Sequence, residues 1–152
     1  MTLRERLQAE TKDAMRAKAA DRLSTLRLIT SAIKDREIAG RSEAGVVEVT
    51  DTDIMALLSK MMKQRQESAR AYASGNRPEL AAKELAEVAV IEEFLPRQMS
   101  ADEVDAAIKV AIAETGASGM KDMGRVIAAL KSRYTGQMDF AAVGPAVKAW
   151  LG

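Results

Sequence analysis

Cationic side chains are concentrated in two short stretches of the 152-residue chain. Positions 60–77 have a local charge of +4, with one acid, Glu67, among five cations: Lys60, Lys63, Arg65, Arg70 and Arg77. Positions 118–134 have a local charge of +3, with one acid, Asp122, among four cations: Lys121, Arg125, Lys131 and Arg133. Because Lys and Arg are the side chains that neutralise phosphates, both stretches are candidate RNA-binding surfaces.

Each stretch has a feature that would help it to hold phosphate. In the first, Lys60, Lys63 and Arg70 lie on a helix face roughly opposite the apolar stripe. In the second, a helix is predicted to begin near Ser118 and Gly119, where unpaired backbone N–H groups would form an anion site. The alternative interpretation is an ordinary solvated helix face. Aromatic residues make up only 3% of the chain, so the sequence does not indicate base stacking.

Three charged residues fall on stripes that are otherwise apolar: Arg65, Glu84 and Glu37. The helices that contain Arg65 and Glu84 are predicted to form an antiparallel hairpin turning near Asn76, which would bring these two side chains roughly level. Since a buried charge is costly unless it is paired, we expect Arg65 to pair with Glu84, with Glu37 nearby. Three interpretations stay open: a buried polar functional site, an ion pair that fixes helix register, and side chains that reach outward to solvent.

The composition removes several kinds of chemistry. The chain has no cysteine and no histidine, which excludes disulfides, thiolate ligands, cysteine nucleophiles and the commonest general base. We therefore predict no catalytic residue, no cofactor and no metal site. The segment 116–122 lacks the Gly-Lys-Ser/Thr ending of a phosphate loop. Glu92 and Glu93 are adjacent on a predicted helix and do not face each other, which argues against a catalytic dyad.

Charge and hydropathy also limit the partners and the location. The net charge of +1 gives no general attraction to nucleic acid, and no DNA specificity is indicated. No run approaches the roughly 20 apolar residues of a membrane span, so we expect no membrane partner. The first residues lack the apolar core of a secretory signal. Together with the absence of cysteine, this predicts a cytoplasmic location.

Apolar spacing predicts an all-α fold. Residues of the aliphatic type recur at helical intervals over seven segments, at about 3–17, 21–38, 51–73, 78–95, 101–115, 119–133 and 140–151. Segment 95–99 breaks the pattern, which places a four-helix domain at 1–95 and a three-helix domain at 96–152. Residues 40–50 form a loop, with 46–49 as a candidate extended stretch. Leu85 is expected to be buried, and Pro145 either kinks the last helix or marks its true start.

Six segments, in order along nearly the whole chain, resemble the YqeY-like family. They are 26–38 (LRLITSAIKDREI), 63–68 (KQRQES), 75–80 (GNRPEL), 84–87 (ELAE), 94–99 (FLPRQM) and 121–125 (KDMGR). The resemblance implies a four-helix domain followed by a three-helix domain, in agreement with the periodicity.

The family is similar to the tail of the GatB subunit of the tRNA-dependent amidotransferase, which helps that enzyme to engage tRNA. The resemblance extends this role to Lys121, Arg125 and Lys131. Family members are often described as carbon–nitrogen ligases with glutamine as amido donor, but this sequence has neither an amidase serine motif nor an ATP-binding motif. Three hypotheses follow: a non-catalytic module associated with tRNA or another RNA, a module that docks to an aminoacyl-tRNA synthetase or an amidotransferase, and a ligase acting alone.

Overall fold

The computed structural model describes residues 1–42, 45–46 and 48–152. These residues form seven α-helices: α1 (Leu3–Arg16), α2 (Ala20–Ala39), α3 (Asp51–Ser74), α4 (Pro78–Glu92), α5 (Ala101–Thr115), α6 (Met123–Tyr134) and α7 (Phe140–Leu151). The predicted all-α class is confirmed. Between α2 and α3, the two-residue strands β1 (Arg41–Ser42) and β2 (Gly45–Val46) pair antiparallel. Of the predicted extended stretch, Val46 lies in β2 and Val47 lies outside the described residues.

Local capping explains where several helices begin. The Thr2 hydroxyl accepts the Glu5 N–H at 3.1 Å at the start of α1. Reciprocal capping boxes begin α3, with Thr50 and Asp53, and α5, with Ser100 and Glu103. Each box satisfies backbone N–H groups that have no partner within the helix, and one cap typically contributes about 1 kcal/mol.

The connection between α5 and α6 differs from its prediction. Gly116 ends α5 with a φ of 66°, in the left-handed region that glycine adopts without strain. The helix expected from position 119 begins as a 3-10 turn, Met120–Asp122, and continues as α6 only from Met123. Asp122 therefore lies at the junction of the two, where its carboxylate is close to the backbone of the preceding loop.

Contacts divide the chain into two compact units, Met1–Leu95 and Pro96–Gly152. The core of the first is aliphatic and comes from α1 to α4, with Leu26, Ile29, Ile54, Leu58 and Ile91 among its most buried side chains. The α3–α4 hairpin turns at Gly75 and Asn76. Leu85 is 52% exposed, so its predicted burial is wrong: it lies on the solvent side of α4, at the edge of the stripe that contains Ala81 and Val88.

The second unit packs α5, α6 and α7 around Ile108, Val126, Leu130 and Val147. Its first residues are fastened to the α6–α7 connection, since Gln98 Nε2 donates to the Gly136 carbonyl at 2.6 Å and the Met99 N–H donates to the Gln137 carbonyl at 3.0 Å.

The last helix is continuous through Gly144 and Pro145. Proline has no N–H to donate to the carbonyl four residues earlier, here that of Ala141. Both Pro145 and Ala141 are exposed, so water can satisfy that carbonyl. Of the two predicted roles of Pro145, that of marking the start of the helix is therefore wrong, since α7 begins at Phe140.

None of the helices in the described part of the chain combines the length and the apolar character needed to cross a membrane.

Candidate nucleic-acid interface

One side of α6 is buried and the other is open. Val126 and Leu130 pack into the core of the second unit. The exposed side, which we term the α6 outer face, consists of Lys121 in the preceding 3-10 turn followed by Gly124, Arg125, Ala128 and Ser132. Helical spacing places these residues on a single surface. The small exposed residues Gly124 and Ala128 lie beside the two cations, so little side-chain bulk surrounds them.

The two other cations of this stretch are held at the edges of α6. Arg133 Nη2 lies 2.5 Å from Glu114 Oε2 on α5, and this hydrogen bond raises the pKa of Arg133. The Lys131 ammonium lies 5.9 Å from the centroid of the Phe140 ring on α7, within cation–π range. Arg133 and Lys131 are thus oriented by the neighbouring helices, while Lys121 and Arg125 lie between them on the open face.

Asp122 occupies the anion site that the sequence predicted at this helix start. Its buried carboxylate accepts the Ser118 N–H at 3.0 Å and a hydrogen bond from Arg125 Nη2. The bond from Ser118, followed by that from Arg125, lowers the pKa of Asp122. The prediction of an unpaired N–H at Ser118 is therefore wrong, because an internal carboxylate within one turn of it takes the place of an external anion. The Ser118 N–H is therefore not available to an external anion.

The first cationic stretch lies on α3, in the other compact unit. Lys60 and Arg70 are exposed and Lys63 is half-buried, all on one side of that helix. The two stretches belong to different units.

Arg65 makes an ion pair, but not with the predicted residue. Its Nε donates to Glu87 Oε2 at 2.8 Å, and its Nη1 donates to the Met61 carbonyl at 3.2 Å. The Arg65 and Glu87 side chains are only 16% and 18% exposed. Arg65 and Glu87 are equally far along the chain from Asn76 in the turn, so they face each other across the hairpin. Glu84 is one helical turn too close to the turn.

Glu37 also lies apart from this pair. Its carboxylate makes a salt bridge with Arg4 Nη2, which links α2 to α1. Two of the three charged residues predicted to cluster, Arg65 and Glu37, thus belong to separate ion pairs, each of which joins two different helices, and Glu84 belongs to neither pair. This arrangement fits the interpretation in which ion pairs fix helix register, rather than a shared polar site.

Two residues of the second unit were missed by sequence reasoning. A Cβ built on Gly124 would meet nothing within 4 Å, so no internal contact requires a glycine in this helix. Glycine inside a helical pattern costs stability, and that cost was the available signal. Trp150, the single tryptophan of the chain, is half-exposed at the end of α7. Its spacing from Val143 and Val147 would have suggested burial instead.

Two surface grooves of the described residues lie against α2. A groove of about 370 Å³ runs along α2 and has one titratable lining residue, Arg27. A smaller one of about 160 Å³ lies between α1 and α2, where the Arg4–Glu37 salt bridge crosses it. No group of three or more acidic, cysteine or histidine residues among those described could hold a metal ion.

Fold and site together define a small helical protein with an exposed cationic helix. A family model described as "Yqey-like protein" matches residues 4–151. This chain belongs to the YqeY-like family, and the resemblance seen in its motifs is confirmed.

Relatives named "Altered inheritance of mitochondria protein 41, mitochondrial" are similar to parts of the chain. The protein from Pyrenophora tritici-repentis is 31% identical over 134 residues, covering 84% of this chain and 71% of the relative. That from Meyerozyma guilliermondii is 39% identical over 89 residues, covering 59% and 44%. That from Saccharomyces cerevisiae strain YJM789 is 28% identical over 99 residues, covering 65% and 51%. The chain thus spans about half the length of two of these three relatives.

These names contradict the predicted cytoplasmic location, since they point to mitochondria. The prediction rested on missing cysteine and on the lack of a secretory signal. Neither feature separates the cytoplasm from other compartments, because a chain without cysteine forms no disulfide wherever it resides.

Proposed function

We propose that this protein is a non-catalytic accessory module that binds tRNA or a similar structured RNA through the α6 outer face. The observation that carries the proposal is the arrangement of this face, where Lys121 and Arg125 lie exposed beside Gly124 and Ala128. Contact with a phosphate backbone requires cations on an accessible surface and no catalytic group. Lys131 and Arg133, at the edges, extend the same positive surface.

Charge alone limits the affinity that this face can provide. With four cations in reach and three of them already engaged, Arg125 by Asp122, Arg133 by Glu114 and Lys131 by Phe140, we expect no more than about four phosphate contacts. The affinity should then fall with salt at a slope of about 0.9 per phosphate on a log–log plot for duplex RNA-like geometry. Binding by this face alone should be weak and should suit an accessory role beside a larger enzyme.

Fluorescence polarisation with labelled total tRNA at several salt concentrations tests the proposal. We expect the double variant Lys121→Met with Arg125→Met to bind at least tenfold more weakly and with a slope smaller by about 2. A matched control removes two exposed lysines of the first unit, Lys12→Met with Lys83→Met, and should leave affinity within about twofold. A third double variant, Lys60→Met with Arg70→Met, tests the α3 stretch. The proposal fails if tRNA does not bind even at low salt, or if the α6 variant binds like the control.

Asp122 provides a test with the opposite sign. Asp122→Asn keeps an oxygen that can accept the Ser118 N–H but removes the charge that engages Arg125. We expect this variant to bind tRNA several-fold more tightly, because Arg125 becomes available and the negative charge beside it is removed. Unchanged or weaker binding by a folded Asp122→Asn protein would argue against contact by Arg125.

A second candidate function is docking to another protein, which the outer side of α4 favours. Leu85 is 52% exposed there, next to the exposed residues Ala82, Ala86 and Ala89. An exposed apolar stripe of this kind is typical of helix-docking surfaces, and an aminoacyl-tRNA synthetase or an amidotransferase would be a suitable partner. Purification of bound proteins with and without ribonuclease separates the two functions. A partner that resists ribonuclease and is lost with Leu85→Glu would favour docking.

A further inference from the structure

The single tryptophan of the chain is held on the core side of α7 but is not enclosed by the core. Helical spacing places Trp150 in line with Val143 and Val147, both of which are buried. Trp150 itself is 49% exposed. The residue of α5 that meets its ring is a cation, with Lys109 Nζ 4.9 Å from the ring centroid. The ring is therefore oriented by a helix and a neighbouring ammonium, while about half of its surface faces solvent.

Two features of this site are available to a ligand: the exposed part of the indole ring and the positive charge beside it. An exposed indole offers an aromatic face, and tryptophan is enriched among the residues that dominate binding interfaces. Two exposed lysines lie near the indole: Lys109 contacts the ring, and Lys148 is two residues before Trp150 in the sequence. One exposed acid, Asp105, lies one turn before Lys109 on α5. A ligand that fits must therefore combine a flat π surface with negative charge.

Among macromolecules, a nucleic acid has both properties in each of its nucleotides. Its base can stack on the indole, and its phosphate can bind the ammonium of Lys109. An apolar side chain from a protein partner would cover the ring but would also bury the Lys109 ammonium without an anion, which is unfavourable. The charge beside the ring thus favours RNA over an apolar protein surface.

We infer that an unpaired base of the bound RNA stacks on Trp150 while Lys109 contacts an adjacent phosphate. This inference rests on the proposed RNA-binding function and adds a second contact within the same three-helix unit. The bound RNA therefore presents at least one unstacked nucleotide, such as one in a loop or at a single-stranded end. The cations of α6 would position the backbone, and Trp150 would recognise an accessible base without strong sequence preference.

Because Trp150 is the single tryptophan, its fluorescence reports on this site in the unmodified protein. The full chain is titrated with a single-stranded RNA of about ten nucleotides and with a second strand of the same length and charge whose central nucleotides lack bases. Stacking predicts strong quenching and about tenfold tighter binding with the first strand than with the second. Equal affinity and equal fluorescence with both strands would overturn the inference, because phosphate contact alone would explain the binding.

Variants measured by polarisation of labelled RNA complete the test. Trp150→Ala should weaken binding to the base-containing strand about tenfold, and Trp150→Phe should recover most of it, since phenylalanine can still stack. Lys109→Met should reduce the salt slope by about 1, whereas the neighbouring exposed Val110→Ala should change nothing. Circular dichroism confirms that each variant is folded.

The possible outcomes distinguish failure of the stacking inference from failure of the proposed RNA-binding function. If tRNA binds and depends on Lys121 and Arg125 while Trp150→Ala binds normally, the stacking inference is wrong and the proposed function stands. If no RNA binds at low salt, both are wrong. Quenching of Trp150 by a purified partner protein but not by RNA would likewise overturn the inference and favour docking.

Discussion

At the residue scale, the ion pair between Arg65 and Glu87 gives a direct test of how α3 and α4 are aligned. The two side chains are less than one-fifth exposed, so the pair is only partly screened by water. Glu87→Gln keeps an acceptor for Arg65 Nε but removes the charge, and we expect it to lower the free energy of unfolding by about 1 kcal/mol. Urea denaturation followed by circular dichroism measures this change.

Glu84 provides the matched control for that substitution. It lies on the same helix one turn earlier, and the same chemical change, Glu84→Gln, should alter the unfolding free energy by less than about 0.5 kcal/mol. A larger loss at Glu84 than at Glu87 would show that Glu84 is the partner in solution and that the hairpin is aligned as the sequence first suggested.

A second residue-scale prediction concerns Glu103 and acid stability. Hydrogen bonding from Arg97, followed by the backbone and side chain of Ser100, lowers the pKa of Glu103 to about 2 from an ordinary value of 4.5. Between these values the unfolded chain binds a proton at Glu103 that the folded chain does not, so lowering the pH favours unfolding. The stabilisation is present above about pH 4.5 and is lost as the pH falls towards 2.

Melting temperatures of the wild type and Glu103→Gln across pH 2 to 5 test this linkage. The variant should melt lower than the wild type at pH 5, and the difference should shrink as the pH approaches 2. Asp105→Asn, at an exposed carboxylate on the same helix, serves as the control. A constant difference between wild type and Glu103→Gln over the whole range would contradict the pKa assignment.

The same residues show what the sequence could and could not predict at this scale. Periodicity placed Arg65 on an apolar face, and the structure agrees that the side chain is largely buried. Periodicity could not show which residue of α4 lies opposite Arg65, because residues one turn apart share a face and only the geometry of the turn distinguishes them. Asp122 was counted simply as a negative charge, since a carboxylate that folds back onto Ser118 needs a turn shape that periodicity does not specify.

At the scale of elements, two glycines of the second unit should respond to the same substitution with opposite signs. Gly124 lies in α6 with open space around the position of a Cβ, so Gly124→Ala should stabilise the protein by up to about 1 kcal/mol. Gly116 has a φ of 66° at the end of α5, so Gly116→Ala should destabilise by about 1 kcal/mol. Thermal unfolding measures both.

RNA binding gives this glycine pair a functional readout. If the backbone of RNA approaches the α6 outer face closely, Gly124→Ala should weaken binding although it stabilises the fold. Gly116→Ala should leave the affinity of the folded protein unchanged. A Gly124→Ala protein that is more stable and binds RNA equally well would show that the glycine has no role in close approach.

Element boundaries were predictable where local chemistry sets them and less so elsewhere. Helices α1 and α5 lie within one residue of the predicted segments 3–17 and 101–115, because the Thr2 and Ser100 caps and the Gly116 end each depend on a few adjacent residues. The 3-10 turn before α6 was missed, as its formation depends on the internal carboxylate of Asp122. For Pro145 the sequence allowed two interpretations, a kink or the start of the helix. The helix continues through it because Ala141, whose carbonyl lacks an N–H partner at Pro145, is exposed to water.

At the scale of the whole molecule, the sequence predicted two domains meeting near residues 95–99, and the contacts divide the chain into units at Leu95 and Pro96. We propose that each unit is an energetically independent domain. The breaks in hydrophobic pattern support the proposal, as does the separation of the buried residues into two clusters.

The cellular location, in contrast, was not predictable, because it depends on recognition signals rather than on the packing of the chain.

Hydrogen exchange after core truncation tests that independence. Leu58 and Ile108 are fully buried in the first and second units respectively. Leu58→Ala and Ile108→Ala should each cost about 2–5 kcal/mol through lost burial and the resulting cavity. If the units are independent, Leu58→Ala should speed exchange of slow amides in α1 to α4 only, and Ile108→Ala in α5 to α7 only, because each substitution lowers the stability of one cooperative unit. Equal acceleration in both units with either variant would mean that the chain unfolds as one cooperative body, in which case RNA bound at α6 would also stabilise α1 to α4.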